Sequence, residues 1–244
     1  MHEPKIRATT ALSAIRLNVW RFLVGAIMLG CIGTAIAQPT YGGVLRAAMT
    51  GEPPTIDVHA TTTTITGHIG WHLVEGLFTT DVNSDPIPML AEGYSVSDDG
   101  LSYVFDLRHG VKFHNGEEMK AADVVASMER WGRLATLGKR LFENVSRFEA
   151  VDDYTVEMDL KEVSGTVLAY LASPIQMPAI YPKSLIDEAG DLPIAEIIGT
   201  GPYRLVEWLP DSHIRLARFE DYAALPGRWP PAVPCAAPHP ARGG

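Results

Sequence analysis

"YSVSDDGLSYVFDLRHGVKFHNGEEMKAADVVASMERW", from Tyr94 to Trp131, contains two apolar rhythms in succession. Leu101, Tyr103, Phe105 and Leu107 alternate with Ser102, Val104 and Asp106, which predicts a strand with one buried side. Asp98-Asp99-Gly100 before it and Asn115-Gly116 after it are turn sequences, so the segment predicts a β-meander. From Ala121 the period lengthens. Val124, Val125, Met128 and Trp131 share one helical face, and Asp123 sits near the N-terminal end, where negative charge suits the helix dipole. A sheet and a helix that each have one apolar face must cover one another, so Phe105 and Trp131 are expected in one core.

The same reading extends to both sides. Leu45, Ala47 and Met49 alternate with Val44, Arg46 and Ala48, and Gly51 to Pro54 force a turn. This predicts a strand that delivers a polar loop at its C-terminal end, where ligands commonly sit in α/β sheets. Ile65, Ile69, Leu73 and Leu77 have helical spacing and predict a helix over residues 65–77. Tyr154, Val156, Met158 and Leu160 alternate after an Asp152-Asp153 turn, and "PYRLVEWLPDSHIRLARFEDY" predicts two strands around Pro210-Asp211. Strands mixed with helices, without a regular βαβα order, predict a mixed-sheet α/β or α+β lobe.

The 244 residues carry 20 Lys plus Arg against 29 Asp plus Glu. The N-terminal stretch has Lys5, Arg7, Arg16 and Arg21, then "FLVGAIMLGCIGTAIA", then Ala35-Ile36-Ala37 before Gln38. That is the order of a secretory signal peptide over residues 1–37, with export and cleavage after Ala37; an uncleaved anchor, or a lipoprotein built on Cys31, are the alternatives. Without residues 1–37 the net charge is −12, which disfavours binding to nucleic acid or anionic lipid surfaces. The two cysteines, Cys31 and Cys235, leave residues 38–225 without a thiolate nucleophile or a disulfide framework.

Catalytic signatures are missing. The chain has no G-x-S-x-G, G-x-x-x-x-G-K-[ST] or H-E-x-x-H motif, so no catalytic residue, cofactor or resident metal is expected. Gly199-Thr200-Gly201 opens like a dinucleotide fingerprint, but Arg204 stands where the third glycine belongs. His68, His72 and Glu75, at i, i+4 and i+7, would share one helical face and are adequate zinc or nickel ligands. They provide the alternative reading of a secreted metal-binding or hydrolase fragment, and equally suit the polar rim of an apolar helix. Asp98-Asp99 and Asp152-Asp153 are turn residues.

Several segments, taken in order, resemble the family 5 extracellular solute-binding proteins, the dipeptide and oligopeptide receptors of bacterial ABC importers. They are "GEPPTIDVH", "HLVEGLFTTD", "PMLAEGYSVSDDGLSYVFDLRHGVKFHNGEEMKAADVVASMERW", "VDDYTVEMDLK" and "GTGPYRLVEWLPDSHIRLARFEDY". The chain departs from the family pattern at Val58, where proline is usual, and at Val74, where tyrosine is usual. The resemblance implies a monomeric receptor of the type II periplasmic-binding-protein class that closes two lobes on its ligand and works with membrane permease subunits. Residues 38–225 would be its N-terminal lobe, with an inserted subdomain over about 78–148. By position in the family, Glu52, Thr55, Thr200 and Gly201 are the candidate ligand-binding residues, with Thr55 and Thr200 equally suited to satisfying turn backbone.

The final stretch, residues 226–244, reads differently. It holds 6 of the 18 prolines and no acid, and 15 of its 19 residues are Pro, Ala, Arg or Gly. The expectation is a non-native tail in place of the second lobe, hence a truncated receptor that binds peptide in the millimolar range or worse.

Overall fold

Phe105, whose alternation predicts a buried strand face, is fully buried in the computed structural model, which describes residues 42–224. The expectations of a signal peptide over 1–37 and of a non-native tail over 226–244 lie outside the described residues. Strand β3 (Ala91–Val96) turns through Asp98–Gly100 into β4 (Ser102–Leu107). Asp99 accepts from Leu101 N–H and the Ser97 hydroxyl, and Gly100 takes the positive φ of 72° that the turn requires. These strands follow β1 (Phe78–Thr80) and β2 (Pro86–Pro88), a short antiparallel pair.

The meander stops at two strands. Val111–Met119 makes a loop with a single bridge, Lys112 to Glu118, around the Asn115-Gly116 turn. Helix α1 (Thr64–Leu73) precedes β1, and after this loop the chain enters α2 (Ala121–Leu134) and α3 (Thr136–Asn144). The second neighbour of β4 arrives after them, because β5 (Val145–Ala150) pairs with β6 (Thr155–Leu160) and β6 pairs with β4. The sheet order is β3-β4-β6-β5, all antiparallel. Phe148 lies in β5, at the edge of this sheet beside β6.

Helix α2 begins with Lys120 N–H donating to the Asp123 carboxylate at 2.8 Å, which satisfies a donor at the N-terminus. Its Val124, Met128 and Trp131 meet Tyr103, Phe105, Leu107, Phe148, Val156 and Met158 in one core, as the two apolar faces predict. A second core gathers Ile56, Val58, Ile69, Leu73, Val74, Tyr181, Ile186, Ile194 and Ile197. Helices α4 (Val167–Leu171) and α5 (Lys183–Ala189) lead to the hairpin β7 (Tyr203–Leu209) and β8 (His213–Arg218), which turns through Asp211 at φ 60°. Leu205, Trp208, Ile214 and Leu216 of this hairpin lie on the second core.

Two expectations are corrected here. Residues 44–49 form no strand, and Val44 and Leu45 are 84% and 82% exposed. Alternation describes which side a strand would bury, but a strand also needs a neighbour for its N–H and C=O groups, and no described strand pairs with this segment. The helix expected to reach Leu77 ends at Leu73, with Val74 already extended. Beyond that point backbone pairing wins: Ile180 N–H donates to Glu75 C=O at 2.9 Å, and Gly76 bridges Ala179.

Candidate functional site

The loop between residue 51 and α1 is anchored from its inner side by a buried charged network. Asp57 and Arg130 have fully buried side chains and lie 2.7 Å apart, Arg130 Nη2 to Asp57 Oδ2. Ile194 N–H donates to the same oxygen at 3.0 Å, and His59 N–H donates to Asp57 Oδ1 at 3.0 Å. Arg130 is otherwise occupied by Gly190 C=O at 2.8 Å, Leu192 C=O at 2.7 Å and His59 Nδ1 at 3.2 Å. One turn earlier on α2, the Ser127 hydroxyl exchanges hydrogen bonds with the backbone of Tyr181. The Tyr181 hydroxyl faces Asp57 at 3.4 Å.

The electrostatics follow from burial. Burial by itself would raise the Asp57 pKa, but the hydrogen bonds from Arg130 and Ile194 and the neighbouring positive charge outweigh it and hold the carboxyl below its usual range. Burial pushes His59 down to about 4, so its imidazole is neutral near pH 7, and its Nε2 has no hydrogen-bond partner among the described residues. The network leaves loop residues 51–64 fixed beneath and open above. Glu52, Thr62 and Thr64 are exposed, and Thr63 at the N-cap of α1 makes no side-chain cap bond. Thr61 and Thr63 hydroxyls bond each other at 2.8 Å. This edge presents hydroxyls beside the positive end of a helix dipole, chemistry suited to carboxylates and amides.

The four candidate ligand-binding residues do not form one cluster. Glu52 is exposed and accepts from Trp208 Nε1 at 2.5 Å, which ties the loop to β7. Thr55 accepts from Asp57 N–H with its hydroxyl and from the Thr66 hydroxyl with its carbonyl, so its polar groups serve the turn. Thr200 is buried and donates to Glu75 Oε2 at 2.8 Å. Gly201 is buried against the other end of α1, where its N–H donates to Leu73 C=O at 3.0 Å. From Thr66 to Leu73 is about 10 Å along the helix. Thr200 and Gly201 therefore hold the C-terminal end of α1 and do not line an open face. A Cβ on Gly199 would stand 2.2 Å from the Leu73 carbonyl oxygen, and one on Gly201 2.6 Å from its carbonyl carbon, so this approach requires glycine at both positions.

The metal triad is not assembled. His68 and His72 are exposed on α1, but Glu75 lies past its end and is buried. Glu75 accepts from the Thr200 hydroxyl and from the Tyr222 hydroxyl, each at 2.8 Å. Arg108 donates to the carbonyl of Ala223 at 2.6 Å, so residues 222–224 are strapped to the body from two sides. Burial raises the Glu75 pKa above its ordinary value of 4.5, partly countered by those two hydroxyls. A raised carboxyl pKa favours folding below the unfolded value, and the contribution is lost as pH rises through the folded one. Glu75→Gln is expected to flatten the decline of stability above about pH 5, because glutamine keeps hydrogen bonds to both hydroxyls without an ionisable proton. Urea melts across a pH series check this, and an unchanged slope in the variant would place its origin elsewhere.

Asp57, His59, Arg130 and Tyr181 form no sequence motif. One signal was available: Arg130 falls between Ser127 and Trp131 on the buried arc of α2, and a charge inside an apolar stripe needs a partner.

A sequence model of the bacterial extracellular solute-binding proteins, family 5, middle section, matches residues 85–233. The chain belongs to this family. Among curated relatives, the glutathione-binding protein GsiB of Escherichia coli O1:K1 / APEC is 32% identical over 213 residues, covering 86% of this family 5 chain and 40% of GsiB. Among solved structures, the periplasmic binding protein DppA of Helicobacter pylori, in complex with the peptide STSA, aligns at a TM-score of 0.68 with 26% identity, covering 76% of this chain and 41% of DppA. The binding protein AgaA of A. tumefacien R10, in complex with agropinic acid, aligns at 0.63 with 33% identity, covering 71% of this chain and 35% of AgaA. This family 5 chain thus spans about 40% of the length of the curated relatives it matches. Its fold is that of periplasmic binding proteins, matched over part of their length.

Proposed function

We propose that this protein is the solute-binding component of an ABC importer for peptides or similar small solutes, acting in the periplasm after export and handing its ligand to membrane permease subunits. The match of 213 residues to a glutathione-binding protein carries this reading. The ligands named with the relatives, glutathione, the peptide STSA and agropinic acid, are small and polar. Among the described residues no helix is long and apolar enough to cross a membrane. The reading assigns binding and no covalent chemistry. The ligand-facing edge is the loop from Glu52 to Thr64, with Thr200 and Gly201 holding the opposite, C-terminal end of α1. Backbone amides and hydroxyls at this edge orient the solute, and the Asp57–Arg130 network keeps them in place before the ligand arrives.

Heteronuclear NMR of the chain titrated with glutathione and with pooled di- and tripeptides tests the proposal, since it registers weak binding and locates it. The expected result is saturable shifts of residues in the 52–66 loop. Saturable shifts confined to another surface, or none with any of these solutes, would refute it.

A further inference from the structure

We propose that His68 and His72 form a two-point binding site for a borderline divalent cation, Ni²⁺, Cu²⁺ or Zn²⁺, on the exposed face of α1. The proposal does not rest on the solute-binding reading. Both imidazoles are exposed and lie one helical turn apart, at i and i+4. Side chains at that spacing start about 5–6 Å apart at Cβ, and imidazole–metal bonds are about 2.0–2.1 Å, so two rings can reach one ion. Imidazole suits these three ions in particular.

Among the described histidines, His68, His72 and His109 make no ring hydrogen bond, and only His68 and His72 share one helical face. His59 faces Arg130, His114 is held between Gly199 N–H and the Gly201 carbonyl, and His213 is engaged by Ser212 and Glu207. His68 and His72 instead meet only aromatic rings, Trp71 at 5.2 Å and Tyr203 at 5.9 Å between centroids. Such contacts steady the rings without occupying the nitrogens. His72 lies in the last turn of α1, where the negative end of the helix dipole favours a cation. The acidic net charge of the chain works in the same direction. Glu75 is not required, because it is buried and already bonded. Two protein ligands leave further coordination positions open to water or to the amine and carboxylate of a small solute.

Calorimetric titration of the untagged full chain with NiCl₂ and CuCl₂ tests the site, with tryptophan fluorescence as a second readout because Trp71 stands beside His68. The expected result is one ion per chain with quenching. His68→Ala and His72→Ala should each weaken binding at least about ten-fold, since each removes the gain from joining two ligands. His109→Ala, the remaining described histidine without a ring hydrogen bond, should leave affinity unchanged, and Trp71→Phe should bind the ion while losing most of the quenching. Both histidines are exposed, and circular dichroism confirms that the variants fold. Unchanged affinity and stoichiometry in the double histidine variant would overturn the proposal. So would single variants that halve the stoichiometry at constant affinity, or a native chain that takes up neither ion.

Discussion

Arg130→Ala should destabilise the fold by about 3 to 5 kcal/mol, the cost of leaving a buried charge without its partner. The Asp57 carboxylate is fully buried and would keep only the N–H groups of Ile194 and His59 and the Tyr181 hydroxyl. The carbonyls of Gly190 and Leu192 would lose their donors at the same time. Denaturant melts of Arg130→Ala, Asp57→Asn and the double variant Asp57→Asn/Arg130→Met separate pairing from packing. The double variant should cost less than the sum of the singles, because it removes the ion and its counter-ion together. Additive costs would mean that the two side chains act independently. Since the Asp57 pKa is held down in the fold, its contribution is present above the unfolded value and disappears as pH falls through the folded one.

Trp131→Ala should cost about 3 to 5 kcal/mol by a different route, cavity formation in the first core. The ring is fully buried, and its Nε1–H donates to Gln176 C=O at 2.6 Å. It also underlies the α2–α3 junction, where a Cβ on Gly138 would stand 2.2 Å from the Trp131 carbonyl oxygen. Neighbours packed this closely by backbone cannot collapse into the space, which puts the loss at the upper part of that range. A loss under about 1 kcal/mol in denaturant melts would show that the sheet and helix are held together by other contacts.

Phe105 and Trp131 were legible because each reports a period that its own neighbours complete. Alternation over 101–107 and the helical spacing of Val124, Met128 and Trp131 are local properties, and an apolar face has only one way to leave water. The same is true of the hairpin at Pro210-Asp211, where turn and strands are adjacent in sequence. The pairing of β4 with β6 was not legible. Many strands alternate, and nothing within 102–107 specifies that its neighbour is the distant strand 155–160, after two helices and another strand.

The candidate site divides in the same way. The sequence by itself determined the family resemblance, the polar loop from Glu52 onward and the two histidines on one face of α1, because these depend on residue type and short spacing. Tertiary structure alone decided that Thr200 faces Glu75 and not an open edge, that α1 stops at Leu73, and that Asp57 meets Arg130, a residue 73 positions away. The buried arc of α2 signals that Arg130 needs a partner but does not say which. Asp57 looks like an ordinary loop residue until the chain brings the two together and excludes the water between them, and only then does the cost of leaving either one alone fix the loop that the sequence had merely suggested.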